Sequence, residues 1–469
     1  MAAIRCAQSR DTLPRVRRAF APTGSTATVP QPILRRIDAV AIVVGIVVGA
    51  GIYRTPSVVA GTTGDAGWML VAWILGAAIS FVGALCYAEL ASAYPHAGGD
   101  YHFLTLAFGR NVSFLYAWAR ATVIQTGSIA LLAFVFGDYL STVFPLGAHS
   151  SAKWAALVVI ALTAINVAGL RKSVRMQNAL TAVEVLGLAA VVVAGFSAAA
   201  PAEPSPVLFA STPDLSKLGV AMVFVLLTYG GWNEAAYISA ELKARRAIVF
   251  VLFASLAVVA VGYVAVNIAL LYGLGLAGLA KSAAPAADVM ERAFGTGGAN
   301  ALALSVAVAT LTSINATMIV GARSNYAMGR DWTALRLLGT WDGERDAPRV
   351  GYLFQSAVAL ALIGFGALQH DGFEAMVNFT APVFWSFLLL VGLSLFVLRA
   401  RHGEVERPFR VPLYPFTPLL FCAVCAFLLH ASVNYAASND AVHISLLVMA
   451  AGVVALLLTR ASSRSRREG

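Results

Sequence analysis

Twelve largely apolar stretches of about 20 residues recur along the 469-residue chain, and no other feature limits its fold so tightly. A helix of that length crosses roughly 30 Å of hydrocarbon. In lipid the backbone N–H and C=O groups must find partners within the segment, so such stretches span as helices. They fall near 38–61, 68–93, 112–140, 153–171, 177–200, 215–240, 247–273, 299–327, 350–369, 373–399, 412–435 and 441–460. The expected fold class is all-α, a polytopic membrane protein of about twelve transmembrane helices. Composition agrees. Hydrophobic residues make up 59% of the chain and charged residues 12%, about half the charged fraction of a soluble domain.

The net charge of +10 lies between the apolar stretches, which argues against nucleic acid as a partner. Arg5, Arg10, Arg15, Arg17, Arg18, Arg35 and Arg36 precede the first span. Every second connection continues the series, through Arg110, then Arg171, Lys172 and Arg175, then Lys243, Arg245 and Arg246. Arg330, Arg336, Arg345 and Arg349 follow, then Arg399, Arg401, Arg407 and Arg410, and the tail Arg460, Arg464, Arg466 and Arg467. The alternate connections hold little beyond Lys153, Lys217, Lys281 and Arg292. Positive charge stays cytoplasmic, so a cell membrane with both termini inside is expected.

Residues 1–37 are Arg-rich with one acid, Asp11, and read as a cytosolic tail that leans on anionic membrane lipid. A transit peptide shares that composition, and the absence of an apolar core there argues against a cleaved secretory signal. The remaining chain divides into 38–200 with five spans, 215–400 with five more, a final pair over 411–460 and a short tail, 461–469. Cys86, Cys422 and Cys425 sit in apolar stretches and Cys6 in the tail. They read as packing residues, and neither a metal site nor a cofactor is expected.

Two spans carry signals against continuous helix. The first contains Gly45-Ile46-Val47-Val48-Gly49-Ala50-Gly51-Ile52-Tyr53-Arg54-Thr55-Pro56, and the sixth Leu227-Thr228-Tyr229-Gly230-Gly231-Trp232-Asn233. Glycine admits dihedrals that other residues resist. The two interruptions occupy matching places in two five-helix halves, the sequence sign of an inverted-repeat carrier with its site at the midplane. A helix N-terminus at Ala50-Gly51 would face the gap and suit a carboxylate. The carbonyl ends of the preceding half-helices would suit an ammonium. Such a site reads a zwitterionic α-amino acid head with no charged side chain. The competing reading is that these glycines only permit close helix packing, as Gly45/Gly49 spacing does routinely.

The same residues resemble the amino acid–polyamine–organocation superfamily, near its L-type and bacterial amino acid permease branches. Gly49-Ala50-Gly51-Ile52-Tyr53 with Thr55-Pro56 looks like the family's GxGIF…P signature. Tyr87-Ala88-Glu89-Leu90, followed by Tyr94-Pro95-His96-Ala97-Gly98-Gly99-Asp100-Tyr101, is similar to its YxEL…P-x-AGG-x-Y loop. Tyr229-Gly230-Gly231-Trp232-Asn233 with Glu241 resembles YGGWN…E, and Ala322 to Asp331 resembles the end of the family's eighth span. The resemblance implies a 5+5 inverted-repeat fold with helices 1 and 6 interrupted, and alternating access around a central amino acid site. It implies head-group contacts at Val47, Ala50 and Gly51, with Tyr229, Gly230 and Gly231 opposite, and Ile124 lining the pocket. Leu227 stands where many relatives carry an aromatic gate. Span 6 ends Glu241-Leu242-Lys243-Ala244-Arg245, without the family's proline.

Charges within spans each need a reason, because one at the bilayer centre costs about 2.5–3.5 kcal/mol on insertion scales. Glu184 lies in span 5 where many relatives have a lysine, and Thr317 fits the hydroxyl that faces it. Two readings stand for Glu184: a titratable coupling group beside span 1, or a structural carboxyl. Glu234 could meet a substrate, and Arg120 could pair with Glu234 or Glu184, which would make these charges structural.

The expected function is transport of an amino acid, neutral slightly favoured, with a cationic amino acid, polyamine or amine as the alternative on the same fold. Exchange, facilitated movement and proton coupling all remain open. A membrane enzyme fits poorly, since no hydrolytic cluster appears in the spans, and a nutrient sensor would be expected to add a long soluble domain, for which the two tails leave little room. The connection Pro145 to Ser151 lacks the cysteine by which some relatives bind a single-span glycoprotein. No disulfide-linked partner is therefore expected, and the sequence leaves the oligomeric state open.

Overall fold

The computed structural model describes residues 35–96, 98–168, 174–198, 208–212, 214–239, 242–244, 246–332, 335–342, 347–437 and 441–468. The N-terminal tail through residue 34, Glu241, Arg245 and Arg345 lie outside them. Among the described residues, nine helices are long and apolar enough to cross a membrane, and two shorter apolar helices add to them. Large apolar side chains such as Val261, Leu186 and Leu447 are outward-facing and exposed. On a membrane protein that is the lipid-facing surface.

The first span is α1 (Arg36–Val47), an extended step at Gly49, a 3-10 turn at Ala50–Tyr53, and α2 (Thr55–Thr63). Pro56 falls in the first turn of α2, where its missing N–H costs nothing. Gly64, with φ of 62°, ends α2. Asp65 then starts α3 (Ala66–Ala93) by accepting from the Trp68 N–H at 3.0 Å. A connecting helix, α4 (Gly99–Phe108), follows in the segment read above only as a loop motif. Gly109, at φ 84°, turns it directly into the third span. That span is α5 (Arg110–Ala119), a π-helical turn at Arg120–Ile124, and α6 (Gln125–Val143).

The fourth and fifth spans are α7 (Ser150–Val167) and α8 (Val174–Ser197). The sixth is α9 (Leu215–Thr228), a 3-10 turn at Trp232–Glu234, and the short α10 (Ala235–Ile238). The seventh and eighth run longer than expected. Helix α11 (Ala247–Lys281) bends at Gly275, and α12 (Pro285–Asp331) bends at Gly295. The positive φ of each glycine breaks the axis, so residues 285–294 form a helix of their own before the eighth span proper. The chain closes with α13 (Arg349–Ala367), α14 (Gly372–Arg401), α15 (Phe416–Ala437) and α16 (Ala441–Glu468).

Helices α6 and α12, from matching places in the two halves, form the most extensive helix pair. Polar contacts fix their neighbours. Asn166 on α7 donates to the Asn315 Oδ1 on α12 at 2.8 Å, and Thr163 bonds Ser356 on α13 at 2.7 Å. Small and polar residues do this work where lipid removes the hydrophobic drive between helices. At one face Glu89 is buried and binds Arg399, Arg407 and the Val411 N–H, which ties α3 to the connection after α14.

Candidate functional site

Both expected interruptions exist. After Val47 the backbone extends through Gly49, with ψ of 179°, and the next helical turn begins at Ala50. The N–H groups that open this turn have no partner within it. In span 6, Gly231 adopts φ of 103°, a left-handed conformation that suits glycine. A Cβ at Gly231 would meet Ile46 Cγ2 at 3.0 Å, and one at Gly51 would meet Thr228 Cγ2 at 3.3 Å. The breaks therefore pack closely on each other, and Gly231, with its positive φ, is the position that needs glycine.

Side chains from other spans satisfy part of the freed backbone. The Tyr263 hydroxyl on α11 donates to the Val47 carbonyl at 2.7 Å and lies 3.3 Å from the Thr228 carbonyl, so one residue braces both breaks. The Gly49 N–H also reaches the Val47 carbonyl at 2.7 Å. Both lone pairs of that oxygen are thus occupied, and Val47 lines the site without an open acceptor. Thr55 and Thr228 join α2 to α9 through their hydroxyls at 2.7 Å.

Between the breaks lies a cavity of about 250 Å³. Of the residues proposed from sequence, Val47, Gly51, Ile124, Leu227, Gly230, Gly231, Glu234 and Thr317 line it. Ala50 supplies backbone to the turn beside it. Tyr229 does not line it: fully buried, it packs its ring 5.9 Å from Trp73 and 5.0 Å from Tyr263. Glu184 does not line it either. It is buried on α8, where Tyr53 donates to its backbone carbonyl at 3.4 Å, and neither carboxyl oxygen is hydrogen-bonded.

Helix α6 adds Gln125, which donates to the Thr317 carbonyl at 2.7 Å, with Leu131 and Leu132. Helix α14 adds Val377, Thr380, Phe384 and Leu388. Of these, a polar Gln125 amid an apolar stretch was the one visible hint. The α14 wall carries no motif that marks it.

The two ends of the site differ. At the start of α2, Arg54 pairs with Asp371 and donates to the Ser282 carbonyl at 2.8 Å, while Ser57 donates to the same carbonyl at 2.6 Å. Tyr139 donates to the Tyr53 carbonyl at 2.7 Å. These contacts bind α2, α6, α14 and the turn before α12 into one plug. At the other end Arg120 makes a bidentate pair with Glu234 at 3.1 and 3.0 Å, its guanidinium 4.7 Å from the Tyr237 ring centroid. Fork-on-fork geometry of this kind is strong and directional. Glu234 is therefore paired within the protein. Beside it Tyr116 bonds Tyr237 at 2.9 Å and donates to Asp100 on α4 at 3.2 Å.

A family model described as Amino acid permease matches residues 34–456. The chain is similar to the mouse b(0,+)-type amino acid transporter 1, 27% identical over 405 residues that cover 85% of this chain and 82% of the relative. The human protein of that name is 26% identical over 413 residues, covering 86% and 83%. The mouse large neutral amino acids transporter small subunit 2 is 29% identical over 399 residues, covering 82% of this chain and 74% of the relative.

Proposed function

The chain belongs to the amino acid permease family, and from that premise we propose that it carries a neutral L-α-amino acid by alternating access, holding the zwitterionic head on bare backbone between its broken spans. It is an amino acid transporter, not an enzyme, and a multi-pass membrane protein. The observation that carries the reading is a cavity lined by Gly49 and Gly51 on one side and Gly230 and Gly231 on the other.

A substrate carboxylate fits the N–H groups that open the turn at Ala50, where the helix dipole favours an anion. The ammonium fits last-turn carbonyls of α1 and α9 other than that of Val47. The side chain then lies against Leu131, Leu132, Val377, Phe384 and Leu388, an apolar wall that favours a neutral substrate. Glu184 and Thr317, considered above as a coupling pair, divide: Thr317 lines the cavity, and Glu184 supports the far side of the first span.

The bias of basic residues supports a cell-membrane protein with both termini cytoplasmic. The connection after the third span, Pro145 to Ser151, offers no thiol for a disulfide to a partner.

Counterflow tests the reading. Proteoliposomes preloaded with unlabelled L-leucine are expected to take up labelled L-leucine faster than empty ones. Neutral L-amino acids should substitute inside, and amines lacking a carboxylate should not. A carrier stimulated equally by amines would remove the carboxylate from the site, and stimulation by no amino acid would end the proposal.

A further inference from the structure

Three charged side chains line the cavity: Asp100, Arg120 and Glu234. Arg120 and Glu234 neutralise each other through two hydrogen bonds. Among the described residues Asp100 has no cation of its own. It is 3% exposed, its Oδ2 accepts from the Tyr116 hydroxyl at 3.2 Å, and its Oδ1 makes no hydrogen bond among the described residues. The buried Tyr87 hydroxyl is likewise unbonded. An α-amino acid is neutral overall, so the proton on Asp100 decides whether the loaded cavity carries a net charge.

Alternating access requires a moment when the cavity is cut off from water on both sides. A net charge sealed in such a space has lost its hydration and is strongly disfavoured. A proton on Asp100 removes that cost. We propose that Asp100 binds the proton that travels with the amino acid, so that the carrier reorients around a neutral cavity. The proposal rests on the amino acid reading above. The balance is simple: water on one side gives a proton to the carboxylate, and the same O–H bond breaks to water on the other side. The emptied cavity then returns filled with water, which hydrates the ionised carboxylate as the dry, loaded cavity cannot, so one positive charge crosses per amino acid.

Helix α4 is a connecting helix, and its Asp100 carboxyl is pushed up to about 7. Burial is the main cause and the Glu234 charge adds to it, while Arg120 and the Tyr116 hydroxyl work the other way. The titratable groups facing Asp100 are thus Tyr87 from α3, Tyr116 and Arg120 from the third span, and Glu234 and Tyr237 from the sixth. On α4 itself, His102 is pushed down to about 4 by burial and by His96, so it stays neutral through the relevant range. Arg401 from α14 binds the other end of α4, at the Ala107 carbonyl, 2.8 Å away.

Proteoliposomes loaded with a pH dye test the assignment, with L-leucine as the probe. In the unmodified protein, leucine entry should acidify the lumen, an inward proton gradient should drive accumulation, and the uptake profile should turn near pH 7. Asp100→Asn should lose accumulation and acidification together, yet keep leucine exchange at a reduced rate. Exchange with no proton movement in the unmodified protein would overturn the proposal while leaving amino acid transport standing. Gradient-driven accumulation in Asp100→Asn would overturn it too. Should Asp100→Asn fail to fold, Tyr116→Phe serves: loss of a donor to the carboxylate should move the pH midpoint up by roughly half a unit, and an unmoved midpoint counts against the assignment.

Discussion

Glu184 and Asp100 are both buried carboxyls, and only Asp100 shares a space with the path between the breaks. An amide has the shape of a carboxyl and carries no charge. Glu184 has no ion partner and no hydrogen bond to either side-chain oxygen among the described residues, so glutamine there forfeits nothing already formed. Glu184→Gln is expected to keep the pH dependence of leucine uptake, with a stability change within about 1 kcal/mol. Uptake against pH beside thermal unfolding checks this, and a flattened profile would return the coupling role to span 5. The difference between these two acids was not legible in the sequence. Hydropathy marks Glu184 because an acid in an apolar stretch stands out, whereas Asp100 sits in a polar connection and reads as solvated. Only the approach of α4 to the third and sixth spans brings it to the cavity. Tyr263 was hidden for the opposite reason: a tyrosine in an apolar stretch draws no notice, and its bond to the Val47 carbonyl depends on how α11 packs.

Among the elements, the interrupted helices were legible because the cause is local. Glycine pairs at 49 and 51 and at 230 and 231 act on their own backbone, and Gly231 takes the left-handed conformation that such a break needs. The bends at Gly275 and Gly295 have the same origin, but those glycines lie near span ends, where they read as ordinary connections. Helix starts follow local chemistry too. Asp65 caps α3 and also accepts from the N–H groups of Phe209 and Ser211, at 3.2 and 3.1 Å, which clamps a distant connection onto that helix. Burial alone would raise its carboxyl, but donation from Trp68, Ser211 and Phe209 outweighs it and holds the group below the ordinary aspartate value of 3.8. A group lowered in the folded state stabilises above its unfolded value, and that stabilisation is lost as pH falls through the folded value. Asp65→Ala should cost about 1–2 kcal/mol near neutral pH. Its melting temperature in detergent should also decline less steeply below about pH 4 than that of the unmodified protein. Parallel curves would show that Asp65 contributes no pH-dependent stability.

At the scale of the whole molecule, two faces of opposite character bracket the cavity. One carries α4, the Glu89 cluster with Arg399 and Arg407, and Arg110, whose guanidinium lies 5.2 Å from the Trp332 ring centroid. The other carries the Arg54–Asp371 plug and the Asp65 clamp, with few basic residues around them. Arginine and lysine are retained on the cytoplasmic side of short connections, so the α4 face should be cytoplasmic. Single cysteines test this directly. Cys86, Cys422 and Cys425 are buried and give little background, and Cys6 can be replaced by serine. Ala148→Cys, in the exposed turn before α7, should react with a membrane-impermeant maleimide on intact cells. Glu404→Cys, exposed after α14, should react only once the cells are permeabilised. The reverse pattern would invert the molecule, and with it the direction in which Asp100 faces. With the α4 face cytoplasmic, Asp100 would lie toward the cytosol from the breaks, and a proton entering with substrate would be released on the side where α4 meets water.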